Sequence, residues 1–214
     1  MKVTAVIPAY NEEENISRVL ETVMKSKELS QVIVVSDAST DRTAKIAQEM
    51  GAEVIALSSN KGKAGAIMAG VEATSAEIIL LLDADLIGLT PQHVTDLINP
   101  IIYDNADMTI GFFTSGRVCT NLSQRITPFL NGQRAVKREL LESISNLELT
   151  KYGIEVVLSR FARANQSKVI WVEMPKMNQV MKEEKNGFLR GFIARLLMYW
   201  EIIKAFTFRL PPSS

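Results

Sequence analysis

Short apolar runs alternate with amphipathic stretches along most of the chain. Residues 3–8 are an apolar run that predicts a buried strand. Asn11 follows as a predicted helix N-cap, with Glu12, Glu13 and Glu14 set against the positive end of the helix dipole. Ile16, Val19, Leu20 and Val23 then recur at helical spacing and define one apolar face. A second strand is predicted over 31–35, a short helix over 43–50 that Gly51 stops, and a third strand over 53–57. The segment 62–74 reads as a helix whose Ala64, Gly65, Ala66, Ala69 and Gly70 allow it to lie close to a sheet. Residues 77–82 are Ile- and Leu-rich without alternation, the pattern of a strand covered on both faces. Thr90 and Pro91 open a further helix as N-cap and N1, with Val94, Leu97, Ile98 and Ile101 facing inward. Strands over 108–113 and 169–174 follow.

Strand–helix alternation at this spacing predicts an α/β fold, a Rossmann-like, mostly parallel sheet flanked by helices. One domain is expected over 1–186, followed by an amphipathic helix and tail over 187–214. In that tail Arg190, Arg195, Glu201, Lys204 and Arg209 fall on one half of a helical wheel, and Leu189, Phe192, Leu196, Trp200 and Ile203 on the other. Such a helix either lies in a membrane interface or packs on the domain or on a second subunit of a homodimer.

Composition removes several function classes. The 214 residues carry 24 basic and 24 acidic side chains, and zero net charge argues against a nucleic-acid binder. Cys119 is the only cysteine, so neither an intrachain disulfide nor a cysteine-built metal site is available. The apolar start is too short for a signal-peptide core, and no run approaches the ~18 apolar residues of a spanning helix. A cytoplasmic location, peripheral to the inner face of a membrane if the tail binds one, is the expectation.

Ligands of open parallel sheets bind outside the carboxyl ends of the strands. Tyr10-Asn11-Glu12, Asp37 and Asp83-Ala84-Asp85 each follow a predicted strand, so acidic groups gather on that one edge. Crowded carboxylates need a cation or hydrogen-bond donors to offset them. Asp83 and Asp85, two apart in an extended segment, would point to one side, and hard oxygens of that kind suit Mg2+ or Mn2+ beside a substrate diphosphate. The plain alternative is a strand-end turn capped by two aspartates. Asp37 offers an acceptor to a nucleobase imide; Ser39 or Thr40 capping the next helix explains the same polar cluster without a ligand. Lys63, at the start of its helix, can meet a phosphate. No Walker loop and no dinucleotide Gly-X-Gly-X-X-Gly is present.

Together, Val6-Ile7-Pro8-Ala9-Tyr10-Asn11-Glu12-Glu13, 34–43, 60–70 and 81–85 resemble the family 2 glycosyltransferases of GT-A fold, in that family's order and spacing. The resemblance implies that Pro8, Ala9, Tyr10, Glu12 and Asp37 bind the nucleoside and that Lys63 lies near it. It implies that Asp83 and Ala84 contact the nucleotide sugar, and that Asp85, with Asp83, holds the Mn2+ or Mg2+ cofactor. Ser36 and Ala38 stand where the family usually shows Asp and Gly.

Further on, Asn131-Gly132-Gln133-Arg134-Ala135 and Tyr152-Gly153-Ile154-Glu155 resemble the glucosyl-3-phosphoglycerate synthases and polyprenyl-phosphate (dolichyl-phosphate mannose synthase-like) sugar transferases. By that likeness Gly132, Gln133 and Arg134 bind the acceptor, and Glu155 is a catalytic base or acceptor-orienting group. A surface arginine beside Lys137 and Arg138, and a first-turn glutamate favoured by the helix dipole, are the structural alternatives. Gln179 stands where relatives place a third metal ligand, whereas His93, the only histidine, is expected to face solvent. The implied activity is transfer of a sugar from a nucleotide diphosphate, UDP foremost, to a phosphorylated small-molecule or polyprenyl-phosphate acceptor. A catalytically silent nucleotide-sugar binding module is the alternative. A nucleotidyltransferase is disfavoured, because Pro8-Ala9-Tyr10-Asn11 is not its Gly-rich, Arg-bearing loop.

Overall fold

The computed structural model describes residues 1–113, 132–144, 147 and 153–179. Cys119, Asn131, Tyr152 and the amphipathic segment after 186 lie outside the described residues.

The described residues form nine strands and six helices: β1 Val3–Ala9, α1 Ile16–Val23, β2 Gln31–Ser36, α2 Thr43–Glu49, β3 Glu53–Ala56, α3 Gly62–Glu72, β4 Ile78–Leu81, β5 Leu86–Ile87, α4 Pro91–Tyr103, β6 Met108–Phe113, β7 Arg134–Lys137, α5 Arg138–Glu142, α6 Ile154–Ala164, β8 Val169–Met174 and β9 Asn178–Gln179. Seven strands form one sheet in the order β3-β2-β1-β4-β7-β6-β8, while β5 and β9 form a small antiparallel pair. Among the described strands of the large sheet only β7 is reversed, antiparallel to both β4 and β6. That reversal matters for function: the entry to β7 lies at the same edge as the exits of β1, β2 and β4.

Both faces of the sheet are covered, which is why its central strands lack polar alternation. Val3, Ala5, Ile7, Ile78 and Leu80 pack with Val19, Leu20 and Leu97 on the α1–α2–α4 side. Val6, Ile79 and Leu81 pack with Ile67, Val157 and Phe161 on the α3–α6 side. The small residues of α3 do what their size predicts: a Cβ on Gly70 would stand 2.5 Å from a methyl of Val6. Arg138 anchors the far end of α3, its two terminal nitrogens donating to the carbonyls of Val71 and Thr74 at 2.7–2.9 Å. Gly51, at φ +87°, ends α2 as expected.

Three local expectations are corrected. Asn11 is not an N-cap; α1 starts at Ile16 after Asn15, and Asn11 is held at φ +53° with its side-chain oxygen accepting from the Thr40 amide. Neither Ser39 nor Thr40 caps α2; Ser39 Oγ accepts from the Asn11 amide, and Asp41 accepts from the amide and hydroxyl of Thr43. A contact with a loop distant in sequence has won over local capping in both cases. His93 does not face solvent. Thr90 and His93 form a reciprocal capping box at the start of α4, and packing beside the Pro175 carbonyl buries the ring. Burial holds its pKa below the ordinary value of 6.5, against the opposing pull of Asp96 and that carbonyl. Among the described residues, no helix is long and apolar enough to cross a membrane.

Candidate active site

The β1–β4 ladder ends at Val6 and Leu81, so Pro8 pairs only with β2. A residue without an N–H is tolerated there because no strand on the other side calls for one. Beyond it, the loops after β1 and β2 are laced together. The Asp37 amide donates to Ala9 O at 2.8 Å, the Glu12 amide to Thr43 Oγ1 at 2.7 Å, and the Glu13 amide to Asp41 Oδ2 at 3.1 Å. Burial raises the Asp41 pKa, but the Thr43 and Glu13 donors outweigh it and hold the carboxyl below its ordinary value. Ala38 sits between these contacts in the left-handed region, at φ +59°. Tyr10 projects half-exposed from the rim.

Asp37 is buried, and its two oxygens accept from the Lys61 amide at 2.6 Å and the Gly62 amide at 2.9 Å. It therefore fixes the loop that enters α3. One residue later, Lys63 reaches across the strand ends. Its ammonium lies 2.5 Å from Asp83 Oδ1 and 2.5 Å from Glu155 Oε1, the latter in the first turn of α6. Burial alone would lower the lysine pKa; the two carboxylates outweigh it and raise the pKa well above its ordinary value, so Lys63 stays charged.

Asp83 is the hub. Its second oxygen accepts from Gln133 Nε2 at 2.9 Å, and Gly132 lies so close that an added Cβ would stand 2.7 and 2.8 Å from the two carboxylate oxygens. Arg134 follows on β7, fully buried, and donates to Ser159 Oγ at 2.9 Å. It is thus not the surface arginine its basic neighbours suggested. Burial pushes its pKa down to about 10, with Glu155 and Asp83 opposing, and the guanidinium remains charged at neutral pH. Two cations and two carboxylates from four separate elements meet here.

The acidic segment departs from its expected shape. β4 stops at Leu81 and residues 84–85 form a turn, so Asp83 and Asp85 do not share one extended strand. Asp85 is buried at the start of β5, whose pairing sets Leu86 opposite Gln179. The main chain at the expected third-ligand position is therefore one residue from Asp85 in register; the Gln179 side chain lies outside the described residues. No group of three or more His, Cys, Asp or Glu side chains suited to a metal occurs among the described residues. Few carboxylates of hard-oxygen type, beside an ammonium, fit a cation that draws the rest of its shell from water and a diphosphate, as Mg2+ does.

Residues 4–163 match the family described as "Glycosyl transferase family 2". The chain belongs to that family.

Among this family 2 chain's relatives is the undecaprenyl-phosphate 4-deoxy-4-formamido-L-arabinose transferase of Serratia proteamaculans, 32% identical over 186 residues. That match covers 76% of this chain and 57% of the relative. The dolichol-phosphate mannosyltransferase of Pyrococcus furiosus is 26% identical over 203 residues, covering 80% and 55%. The chain thus spans little more than half the length of these curated relatives. Among solved structures, glucosyl-3-phosphoglycerate synthase from Mycobacterium tuberculosis in complex with Mn2+, UDP and glucosyl-3-phosphoglycerate superposes with a TM-score of 0.76 at 26% identity. It covers 96% of this chain and 78% of that protein. The mixed, mostly parallel sheet flanked by helices is the GT-A-like arrangement that the sequence resemblance implied.

Within the family 2 frame, the structure brings Lys63, Asp83, Gly132, Gln133, Arg134 and Glu155 together, with Pro8 and Ala9 at the end of β1 and Glu12 and Asp37 in the laced loops that follow the strands. The direct partnership of Lys63 with Glu155 was not foreseen. No local pattern marks it, because it depends on where α6 returns to the sheet. The Arg138 anchor on α3 was missed for the same reason.

Proposed function

We propose that this protein is a divalent-cation-dependent glycosyltransferase that moves a sugar from a UDP-sugar to a phosphorylated acceptor. The observation that carries this is the lysine bridged between Asp83 and Glu155 at the carboxyl edge of the sheet, in a chain of this family. A binding site for a nucleoside diphosphate needs fixed positive charge and main-chain donors at one place, and Lys63 at the start of α3 supplies both.

In this reading the end of β1, with Pro8 and Ala9, and the following loop, with Tyr10 and Glu12, wall the nucleoside. Asp37 shapes the same wall by holding the Lys61–Gly62 turn. Lys63 faces the diphosphate and offsets the charge that gathers on it as the sugar leaves. Asp85, Asp83 and Gln179 would hold Mn2+ or Mg2+, which supplies Lewis-acid stabilisation of the departing diphosphate when bound. Gly132, Gln133 and Arg134 form the acceptor side of the site. Glu155, tied to Lys63, orients the incoming acceptor or takes its proton. The three relatives' names each carry a phosphorylated compound, which supports a phosphorylated small molecule or polyprenyl phosphate as acceptor. A domain over 1–186 with a tail that touches the cytoplasmic face of a membrane, or a second subunit, belongs to the same proposal.

A thermal-shift panel of UDP- and GDP-sugars with and without Mn2+ tests the donor, since a ligand selective for the folded state raises the melting temperature. Nucleoside diphosphate release that is abolished by chelator and by Asp85→Ala tests the activity. The mutual neutralisation of Lys63 and Asp83 favours one other reading, a silent nucleotide-sugar binding module. Donor binding with no release over a long incubation selects that alternative.

A further inference from the structure

The amide of Gln133 is only half used. Asp83 Oδ2 can only accept, so the NH2 group of Gln133 must face it, and this fixes which way round the amide lies. Oε1 then points elsewhere. The residue is fully buried, and Oε1 is the one buried side-chain polar atom without a hydrogen-bond partner among the described residues. Buried acceptors in folded proteins are almost always paired, so an orphan acceptor at the ligand edge marks a place for a donor.

Its surroundings narrow what that donor is. Leu81 pairs with Arg134, so Gln133 stands just beyond the exit of β4, on the ligand edge of the sheet. Its main chain is held by the Gly111 amide at 2.8 Å and its side chain by Asp83, which leaves the oxygen pre-set. Gly132 beside it leaves no room for a side chain, since a Cβ there would stand 2.5 Å from Lys63 Nζ and 2.7–2.8 Å from the Asp83 oxygens, so the main chain closes directly on that ion pair. The diphosphate of a sugar nucleotide and a carboxylate carry no proton at neutral pH, and a phosphate monoester is mostly deprotonated there, so an anionic group is a poor partner for this oxygen. A sugar hydroxyl is a good one.

We infer that Gln133 is a specificity-determining residue: through Oε1 it accepts a hydrogen bond from a hydroxyl of the sugar being transferred. This rests on the glycosyltransferase reading above and deepens it. A sugar lacking that hydroxyl leaves a buried acceptor unpaired, the kind of mismatch that discriminates between substrates far better than a missing methylene does.

The test uses the full chain with Mn2+, the sugar nucleotide that gives the largest shift in the panel, and the matching bare nucleoside diphosphate. Gln133→Met removes both ends of the amide, whereas Gln133→Glu keeps an acceptor oxygen and loses the donor to Asp83. Calorimetry reads the affinity ratio of sugar nucleotide to nucleoside diphosphate within each variant, which cancels any general damage to the site. The ratio is expected to fall about tenfold in Gln133→Met, the size of one lost hydrogen bond, and to hold in Gln133→Glu. The loss in Gln133→Met is expected to disappear for one member of a series of monodeoxy sugar nucleotides. An unchanged ratio in Gln133→Met overturns the inference and leaves Gln133 as a support for Asp83 alone. A water on Oε1 that persists in a crystal of the donor complex overturns it as well. Wild-type protein that binds no sugar nucleotide brings down the underlying reading too, so the two failures are told apart.

Discussion

A Cβ placed on Gly132 would stand 2.5 Å from the Nζ of Lys63. The glycine is therefore a spatial requirement, since its backbone is not among those at positive φ. Gly132→Ala is expected to fold, because the lysine tip can swing away, but the swing breaks its contact with Asp83 or Glu155. Donor affinity should drop at least about tenfold, with a melting temperature within a few degrees of wild type. Wild-type affinity in this variant would show that the cluster rearranges freely and does not define the site.

Lys63 has a structural consequence apart from ligand binding. Lys63→Met leaves Asp83 and Glu155 facing each other without their shared cation. Breaking a fully buried pair costs roughly 3–5 kcal/mol, and this one is partly open to water, so about 2 kcal/mol is expected in urea denaturation. The sign with pH is fixed by the raised pKa. The lysine's contribution is complete below its ordinary value of 10.5 and is lost as pH rises through the higher folded value. The wild-type advantage over Lys63→Met should accordingly persist at about pH 9 and shrink only in strong alkali. A difference that is already absent near neutrality would mean that the ion pairs contribute nothing to stability.

Ala38 occupies a conformation that suits glycine. With φ at +59°, its Cβ carries roughly 1 kcal/mol of steric penalty, partly offset by the greater chain entropy that glycine loses on folding. Ala38→Gly should stabilise the protein by about 0.5 kcal/mol, read as a raised urea midpoint at unchanged slope. A lowered midpoint would mean that the methyl group contributes packing worth more than the strain.

His93 links the α4 capping box to pH. Its folded pKa lies below 6.5, so the unfolded chain takes up the proton first, and stability declines as pH falls through that value. His93→Gln keeps a good N3 partner for Thr90 and removes the titration. Between about pH 7.5 and about pH 5.5 the wild-type urea midpoint should fall further than that of His93→Gln. Parallel declines would assign the acid sensitivity to other groups.

Much of the fold could be read from local pattern because the pattern has a local cause. The Ile-Ile-Leu-Leu run of β4 is apolar throughout because both faces of that strand are covered, and Thr90-Pro91 stops and starts backbone in a way few other residues do. Gly70 and its small neighbours revealed a close helix–sheet contact for the same reason. Where two demands met on one side chain, the local one lost. Asn11 has the chemistry of an N-cap, but its oxygen went to Thr40 on another loop, and His93, polar and near a helix start, was drawn inward by Thr90 and Pro175.

By itself the sequence determined the order of β1 to β4, β6 and β8 and of α1 to α4, the family, and which loops carry acid at the ends of strands, since these depend on residue type and spacing alone; it did not mark the short β5, β7, α5 and β9. Only the tertiary structure decided that β7 runs backwards, that Gly132 and Gln133 thereby stand over Asp83, and that one ammonium joins Asp83 to Glu155. Those contacts join segments far apart in the chain, and the energy that selects them comes from burying the sheet between two helical layers, which no local stretch of residues records.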